Sequence, residues 1–542
     1  MRKNIVLLIV LLTHTLFGLA QVYTEADSLR GSITEERIWW DLNYYHLDIE
    51  VLPEKRYIQG SNTIRYKVLE ANDRMQIDLQ SPLRITKIVQ KGKELQFESK
   101  GNAHIIQLQQ SQNIGDYNEL IVHYEGQPKE AIRAPWDGGF SWKKDTNGDH
   151  FIATSCQGLG ASVWWPCKDH MYDEVDSMMM SIEVPNHLSD ISNGHLLSIE
   201  IDKKKKTKTF NWFVSNPINN YGVNVNIGNY ANWNEIYEGE KGNLDVNYWA
   251  LKQDQSKAKK QFKEVPRMLE AFEHWFGPYP FYEDGYKLVQ VPYLGMEHQS
   301  SVTYGNEFEN GYLGRDLSGT GWGLKFDFII VHESGHEWFA NNVTHKDIAD
   351  MWIHESFTNY SESLFVEYFF GKEAGQEYVR GTRLAIENRK PMIGNYHVND
   401  ESYPGDVYNK GGNMLNTLRT IVDNDDIWRG LLRSINERFY HSTVDSHQLE
   451  QYISEYLKID LSPFFDQYLR TSNLPILEYY VSNGKLHYRW TSAVPDFNMP
   501  VDIFIANRKE RIYPTIKWAY QVVEKEMVGV DANFYIGTMI SR

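Results

Sequence analysis

Two histidines and two glutamates near the middle of the chain have the types and spacing of a metal centre for hydrolytic chemistry. His332 and His336 are four residues apart, and Glu355 follows nineteen residues after the second histidine. On a helix, residues four apart lie one turn above each other on the same face. Two imidazoles at this spacing and a carboxylate from a second helix suit a tetrahedral zinc ion with one position left for water. Glu333 adjoins the first histidine and can reach that water as a general base.

The alternative to a zinc site is a surface helix with two unrelated histidines, because a bare His-Glu-x-x-His pattern also arises by chance. The apolar run 328–331 before the motif favours a buried helix, and Gly335 permits another backbone or a substrate to approach closely. Glu362 follows Glu355 by two turns on the same face, so it is a candidate to orient a ligand histidine. An ordinary solvent-facing glutamate is the competing interpretation of Glu362.

The hydrophobic pattern places this motif in a helical middle part between two strand-rich parts. Alternating residues from about Ile38 predict strands, with the basic run 203–206 at a solvated hairpin tip. Apolar spacing over Lys257–Phe276 predicts a helix, and helical segments continue to about Leu469. The remaining residues return to alternation and are enough for a small β-sandwich. The predicted domains are a β-rich N-terminal domain at 28–233, a zinc-binding domain at 234–472 and a C-terminal β-sandwich at 475–542.

The composition indicates a folded, acidic, multidomain protein. The chain has 542 residues, of which 42% are hydrophobic and 14% aromatic, and its formal net charge is −17. This length favours about three domains. A strongly acidic surface repels nucleic acid and anionic membranes, so neither is expected as a partner.

The first twenty residues have the pattern of a secretory signal peptide. Arg2 and Lys3 precede an apolar core, and 18–20 form a small-x-small cleavage site before Gln21. Cleavage there leaves 53 basic and 72 acidic residues, a formal charge of −19. We therefore expect export to a periplasm or the exterior. The apolar core is too short to span a bilayer, so we expect no membrane anchor after signal removal.

The two cysteines, Cys156 and Cys167, leave two possibilities open. In an oxidising compartment they could form a disulfide, or Cys167 could be a buried free thiol. Neither belongs to a zinc-type Cys-x-x-Cys pair.

Beyond the metal motif, several segments in a fixed order resemble the M1 family of zinc aminopeptidases, in the gluzincin group that includes leukotriene A4 hydrolase and aminopeptidase N. The resemblance implies that His332, His336 and Glu355 bind one zinc ion and that Glu333 is the general base. Trp352–Phe357 is similar to the family's Trp-Leu-Asn-Glu-Gly segment, with His354 where asparagine is usual. On a helix His354 points about 100° away from Glu355, so we expect it not to bind the metal.

The family's exopeptidase motif, Gly-x-Met-Glu-Asn, resembles residues 294–298. Gly295, Met296 and Glu297 lie within it, whereas Leu294 replaces the first glycine and His298 the asparagine. The resemblance implies that this segment binds substrate and that Glu297 pairs with the free α-amine of a peptide. A buried carboxylate facing an ammonium forms a charge-assisted pair, which a blocked N-terminus leaves unpaired.

Two further segments complete the resemblance. Tyr408, in Tyr-Asn-Lys-Gly, matches the family's tyrosine that hydrogen-bonds the oxyanion. Gln157 lies in a segment that resembles the N-domain loop reaching into the active site, and Tyr304 and Tyr403 are further candidates to line the cleft. For this chain the resemblance implies an α+β multidomain fold with a saddle-like β-rich N-terminal domain, a thermolysin-like, mostly helical catalytic domain and a short C-terminal β-sandwich.

Together these residues predict a zinc aminopeptidase acting on peptides with a free N-terminus. A thermolysin-like endopeptidase and an epoxide hydrolase are the enzymatic alternatives. A catalytically silent M1-like binding scaffold is the alternative from another class.

Overall fold

A computed structural model of the protein describes residues 23–400, 402–505, 508–523 and 528–541. The predicted signal peptide at 1–20 lies outside the described residues. No helix among the described residues is both long enough and apolar enough to cross a membrane.

The N-terminal part is built almost entirely from β-sheets, as predicted. Its largest sheet has eight strands in the order β13-β14-β11-β1-β2-β8-β4-β5, beside sheets ordered β12-β15-β10-β9 and β3-β7-β6. The hairpin between β13 and β14 turns at the predicted basic run. The elements of this part are α1 (Glu25–Gly31), α2 (Glu35–Ile38), β1 (Trp40–Leu52), β2 (Tyr57–Val68), β3 (Arg74–Asp78), β4 (Arg84–Gln90), β5 (Lys93–Glu94), β6 (Gln96–Lys100), β7 (Ala103–Gln107), β8 (Tyr117–Gly126), β9 (Gly139–Lys144), β10 (His150–Ser155), β11 (Ser177–Pro185), β12 (Ser189–Ile191), β13 (His195–Asp202), β14 (Thr207–Val214) and β15 (Asn226–Gly228).

The middle part combines one five-stranded sheet with a helical body. The sheet has the order β16-β17-β18-β20-β19, so the two-residue strand β19 lies at its edge. The elements are β16 (Tyr230–Gly239), β17 (Gly242–Leu251), α3 (Gln255–Gln261), α4 (Glu264–Phe276), β18 (Tyr286–Gln290), β19 (Gly295–Met296), β20 (Val302–Tyr304), α5 (Phe328–Gly335), β21 (Val343–His345), α6 (Trp352–Phe370), α7 (Lys372–Gly381), α8 (Asp406–Val422), α9 (Asp425–Arg438), β22 (Ser442–Val444), α10 (Ser446–Leu457) and α11 (Ser462–Arg470). The helix predicted over Lys257–Phe276 is therefore two helices, α3 and α4. The predicted boundary at 233/234 falls inside β16.

The C-terminal part consists of two small sheets, in agreement with the predicted β-sandwich. Their strand orders are β27-β24-β23-β29 and β26-β25-β28. The strands are β23 (Ile476–Ser482), β24 (Lys485–Thr491), β25 (Val501–Ile505), β26 (Arg508–Ile512), β27 (Ala519–Val522), β28 (Val528–Val530) and β29 (Gly537–Ile540). The predicted α+β multidomain class is confirmed.

Two hydrophobic cores hold these parts together. The larger core is continuous from the helical body into the C-terminal sheets. The N-terminal core also includes Val289, Tyr293 and Met296 of the middle part, so the sheet edge at β19 packs against the N-terminal domain. Cys156 and Cys167 lie buried in that core as free thiols, which leaves the disulfide alternative unsupported.

Candidate metal centre and active site

Helix α5 carries both histidines of the motif on a short, buried segment. The Asp327 side chain caps the helix by accepting hydrogen bonds from the backbone N–H groups of Ile329 and Ile330, at 3.1 and 3.2 Å. The apolar residues before the motif are in the core, as the sequence predicted. His332 lies within the helix and His336 at its C-cap, and their rings are 5.1 Å apart between centroids.

Glu355 brings a carboxylate from the first turn of α6 to these two imidazoles. Its Oε2 lies 3.4 Å from Nε2 of His336 and 3.8 Å from Nε2 of His332. All three side chains are buried, and one ligand atom from each lies within 4.8 Å of the others. The first turn of a helix also favours a negative charge.

The donor set fits a zinc ion. Glu355 Oε2 is fully buried and has no hydrogen-bond partner among the described residues, although burying such an oxygen unpaired is costly. Burial lowers the pKa of His336, but the carboxylates of Glu355 and Glu297 outweigh burial and raise that pKa to about 10. The pocket thus has an excess of negative charge, which a divalent cation held by two nitrogens and one oxygen would compensate.

Each histidine is fixed through the nitrogen that faces away from the cluster. His332 Nδ1 donates to Oε1 of Glu362 at 2.8 Å, and Tyr378 donates its hydroxyl proton to Oε2 of the same carboxylate at 2.7 Å. His336 Nδ1 donates to the carbonyl oxygen of Phe339 at 3.0 Å. Both Nε2 atoms therefore face the cluster, where each can bind a cation once its proton is lost. Glu362 is buried against His332, so the solvent-facing interpretation is wrong.

Glu333 faces the cavity beside this cluster. Burial, with the nearby Glu297 carboxylate adding to it, raises the pKa of Glu333 to about 7. Gly295 on β19 makes room for the base, since a Cβ there would lie 3.1 Å from Glu333 Oε1 and 2.6 Å from Ile329 Cγ2. Gly335 instead permits α5 to pack closely on α6, because an added Cβ at this position would lie 2.7 Å from Oγ of Ser361 on α6.

Glu297 lies one step further along the sheet edge and is held by residues of the N-terminal domain. Its Oε1 accepts hydrogen bonds from Gln157 Nε2 at 2.7 Å and from the Tyr221 hydroxyl at 3.1 Å. Gln157 Nε2 also lies 3.2 Å from Oε1 of Glu355. Carboxylate oxygens of Glu297 and Glu333 lie within 4.8 Å of each other and of a nitrogen of His336. Tyr221 was not predicted.

Tyr408 approaches the cluster from the first turns of α8. Its ring lies along that of His332, with 6.1 Å between centroids and 27° between planes. Burial and then the carboxylate of Glu355 raise the pKa of Tyr408 well above its ordinary value. The phenol therefore stays protonated and can donate a hydrogen bond.

One cavity of about 440 Å³, between the N-terminal domain and the helical body, is lined by the candidate metal ligands together with Gln157, Glu297, Glu333 and Tyr408. Met296 and Tyr403 line it too, whereas Tyr304 does not. The Tyr304 hydroxyl donates to Asp327 Oδ2 at 2.8 Å, so this tyrosine supports the cap of α5 and its predicted place in the cleft is wrong. Trp136, Tyr312 and Leu317 also line the cavity, although no sequence motif marks them.

Three of the positions that depart from the family motifs, Leu294, His298 and His354, have different surroundings. Leu294 lines the cavity. His298 is fully buried outside it, with Nδ1 3.3 Å from the carbonyl oxygen of Gly222 and Nε2 3.2 Å from that of Thr154. His354 directs Nε2 to the backbone N–H of His345 and is outside the candidate ligand set, as expected.

Comparison with known proteins agrees with this geometry. The model of the peptidase M1 N-terminal domain matches residues 42–221, and that of the peptidase family M1 domain matches residues 260–468. The chain belongs to peptidase family M1. The second match contains the whole cluster of His332, His336 and Glu355, whereas Gln157 and Tyr221 lie in the first.

Curated relatives of this M1 protein are distant in sequence. A probable aminopeptidase 1 of Sulfurisphaera tokodaii is 22% identical over 442 residues, which cover 78% of this chain and 52% of the relative. Leukotriene A-4 hydrolase of Xenopus laevis is 24% identical, over 77% of this chain and 69% of that protein. The chain spans about half the length of the first three relatives that it matches.

Solved M1 structures share the fold. A variant of an M1 zinc metallopeptidase from Deinococcus radiodurans superimposes with a TM-score of 0.67 at 20% identity, covering 80% of this chain and 95% of that one. The same metallopeptidase bound to a Tyr-Ser-Ala substrate gives a TM-score of 0.65 at 19% identity.

Proposed function

We propose that this M1 protein is a zinc aminopeptidase, which hydrolyses the first peptide bond of peptides with a free N-terminus. The observation that carries this proposal is the placement of Glu297. Its carboxylate lies within 4.8 Å of both Glu333 and His336, at the edge of the same cavity. Two comparisons support the same substrate class. One relative is named probable aminopeptidase 1, and the Deinococcus radiodurans enzyme has been solved with a tripeptide substrate bound.

One zinc ion is the expected cofactor, and His332, His336 and Glu355 are the residues that would hold it. When bound, zinc acts as a Lewis acid that polarises a peptide carbonyl and makes water more acidic. Glu362 and the Phe339 carbonyl keep the two imidazole rings in the orientation this requires.

The remaining chemistry belongs to protein side chains. The carboxylate of Glu333 takes a proton from the attacking water and then delivers that proton to the leaving amine. The Tyr408 phenol donates to the substrate carbonyl oxygen as negative charge develops there. Glu297 accepts the substrate ammonium, so that only the first peptide bond is presented to Glu333.

Replacing Glu333 by Gln tests the assignment of the base. The amide cannot take up the proton, so we expect kcat for an aminoacyl-anilide to fall by about a thousandfold. Zinc content measured by elemental analysis should stay near that of the parent protein, because no ligand is altered. Glu238→Gln, on an exposed strand position, is the matched control. Full activity in Glu333→Gln would contradict the proposal.

A further inference from the structure

Tyr221 lies between Glu297 and a second buried side chain, His354. The Tyr221 Oη is 3.1 Å from Oε1 of Glu297 and 3.5 Å from Nδ1 of His354. His354 is fully buried, at the first turn of α6 and next in sequence to Glu355. Tyr221 belongs to a turn of the N-terminal domain that is fixed by its own hydrogen bonds, including that from Gly222 N–H to Asn219 Oδ1.

The direction of these hydrogen bonds follows from one backbone amide. The N–H of His345 points at Nε2 of His354, with 2.9 Å between the nitrogens. A backbone N–H can only donate, so Nε2 accepts and the proton of the neutral imidazole is on Nδ1. Nδ1–H faces the Tyr221 oxygen, which therefore accepts from His354. The single proton of the Tyr221 hydroxyl is then directed to Glu297.

We propose that His354 is a positioning residue for the amine-binding carboxylate, acting through Tyr221. It keeps the Tyr221 hydroxyl turned toward Glu297 as a donor. With Gln157 donating to the same oxygen, Oε1 of Glu297 is satisfied by protein groups, and Oε2 is the oxygen that remains for the substrate ammonium. The inference rests on the proposed aminopeptidase function, because it assigns a role in binding the amine.

The competing explanation is that His354 only fills the core. Its ring stacks on that of His345, with 3.9 Å between centroids, and an apolar residue of similar size would also pack there. The two explanations differ in whether the effect of His354 depends on the Tyr221 hydroxyl. They also differ in whether asparagine, which has an acceptor oxygen and a donor nitrogen, can replace the imidazole.

The experiment is a double-mutant cycle of His354→Leu and Tyr221→Phe, read as KM and kcat for an aminoacyl-anilide. Loss of a hydrogen bond to the charged Glu297 should raise KM about tenfold in Tyr221→Phe with little change in kcat. We expect a smaller rise, about threefold to fivefold, in His354→Leu, since a 3.5 Å contact is long. His354→Leu should have no further effect when Tyr221 is already Phe.

His354→Asn provides the matched conservative variant and should keep KM within about twofold of the parent protein. Equal rises in KM for His354→Leu in both Tyr221 backgrounds would overturn the proposal, and so would His354→Asn behaving like His354→Leu. If His354→Leu does not fold, ¹⁵N NMR of histidine in the parent protein tests the proposal instead, by showing which ring nitrogen of His354 carries the proton. A proton on Nδ1 of His354 is expected, and a proton on Nε2 would contradict the relay.

Failure of this inference is distinguishable from failure of the proposed function. If the aminopeptidase proposal is wrong, the parent protein releases no N-terminal residue, before any variant is made. If only the role of His354 is wrong, the parent protein is active and the cycle is additive.

Discussion

At the residue scale, the candidate site consists of electron-pair donors that lack other partners. Nε2 of His332 and of His336 converge on Oε2 of Glu355, and the other nitrogen of each ring is already bonded. A divalent cation at this point would compensate the negative charge of Glu355 and bind both nitrogens. The side chains behind the cluster, such as Glu362, therefore matter for how tightly the cation is held.

Replacing Glu362 by Gln tests this supporting role. The amide accepts a weaker hydrogen bond from His332 Nδ1 than the carboxylate does, so we expect zinc affinity to fall by about 10- to 100-fold. Competition with a fluorescent zinc chelator measures this affinity, and Glu238→Gln again provides the exposed control. Unchanged affinity would mean that Glu362 does not help to hold the ligand histidine.

The sequence predicts residues of this site where spacing or a motif carries the information. Helical spacing alone brings His332 and His336 together, and a motif located Glu297. Tyr221 carries no such signal, because it meets Glu297 from 76 residues away and from another domain. The prediction that Tyr304 lines the cleft is wrong because its hydroxyl bonds to Asp327, which caps α5. Only the fold shows that these two residues meet.

At the scale of elements, an edge strand and two helices hold the reacting groups in order. β19 carries Gly295 beside Glu333 on α5, and Glu297 follows directly after the strand. Under the proposed function, a peptide whose amine binds Glu297 would have its first peptide bond beside Gly295 and Glu333. The close packing of β19 on α5 would then set the distance between the amine and the bond that is cut.

Replacing Gly295 by Ala tests that packing. The added Cβ would lie 2.6 Å from Ile329 Cγ2 and 3.1 Å from Glu333 Oε1, so the base must shift. We expect kcat to fall by about 10- to 100-fold while the fold persists, because small misplacements of reacting groups are costly. Kinetics with an aminoacyl-anilide and circular dichroism measure both. Gly529→Ala, where the nearest atom is 3.9 Å away, is the control; equal activity of both variants would contradict this account.

The spacing of apolar residues predicts whether a long segment is helix or strand better than it predicts where that segment breaks. The apolar face from Val265 to Trp275 lies in the core as expected. The break between α3 and α4 was missed because Phe262, at the break, is itself buried and continues the apolar pattern. A hydrophobic pattern reports which side chains are buried, not whether the backbone between them stays helical.

At the scale of the whole molecule, the site combines groups from the N-terminal domain and from two helices of the middle part. The candidate metal ligands join α5 to α6, and the N-terminal domain contributes Gln157 and Tyr221, which both donate to Glu297. A cation that binds the folded protein but not the unfolded chain would therefore stabilise the helical body.

Removal of metal tests this link. With zinc at about a thousandfold excess over Kd, binding contributes about 4 kcal/mol, so chelation should lower the transition of the helical body by roughly 10 °C. Differential scanning calorimetry with and without a chelator measures the shift, and added zinc should reverse it. His336→Asn should show no such response to zinc, and a zinc-dependent shift persisting in that variant would place the metal elsewhere.

The central claim is that Glu297 restricts hydrolysis to the free N-terminus, and one measurement tests it directly. A peptide and its N-acetylated form are incubated with the protein, and products are followed by mass spectrometry over time. We predict stepwise loss of single residues from the free peptide and no cleavage of the acetylated one, since a capped amine leaves Glu297 unpaired. Efficient cleavage of the acetylated peptide, or internal cuts in the free peptide, would contradict this account.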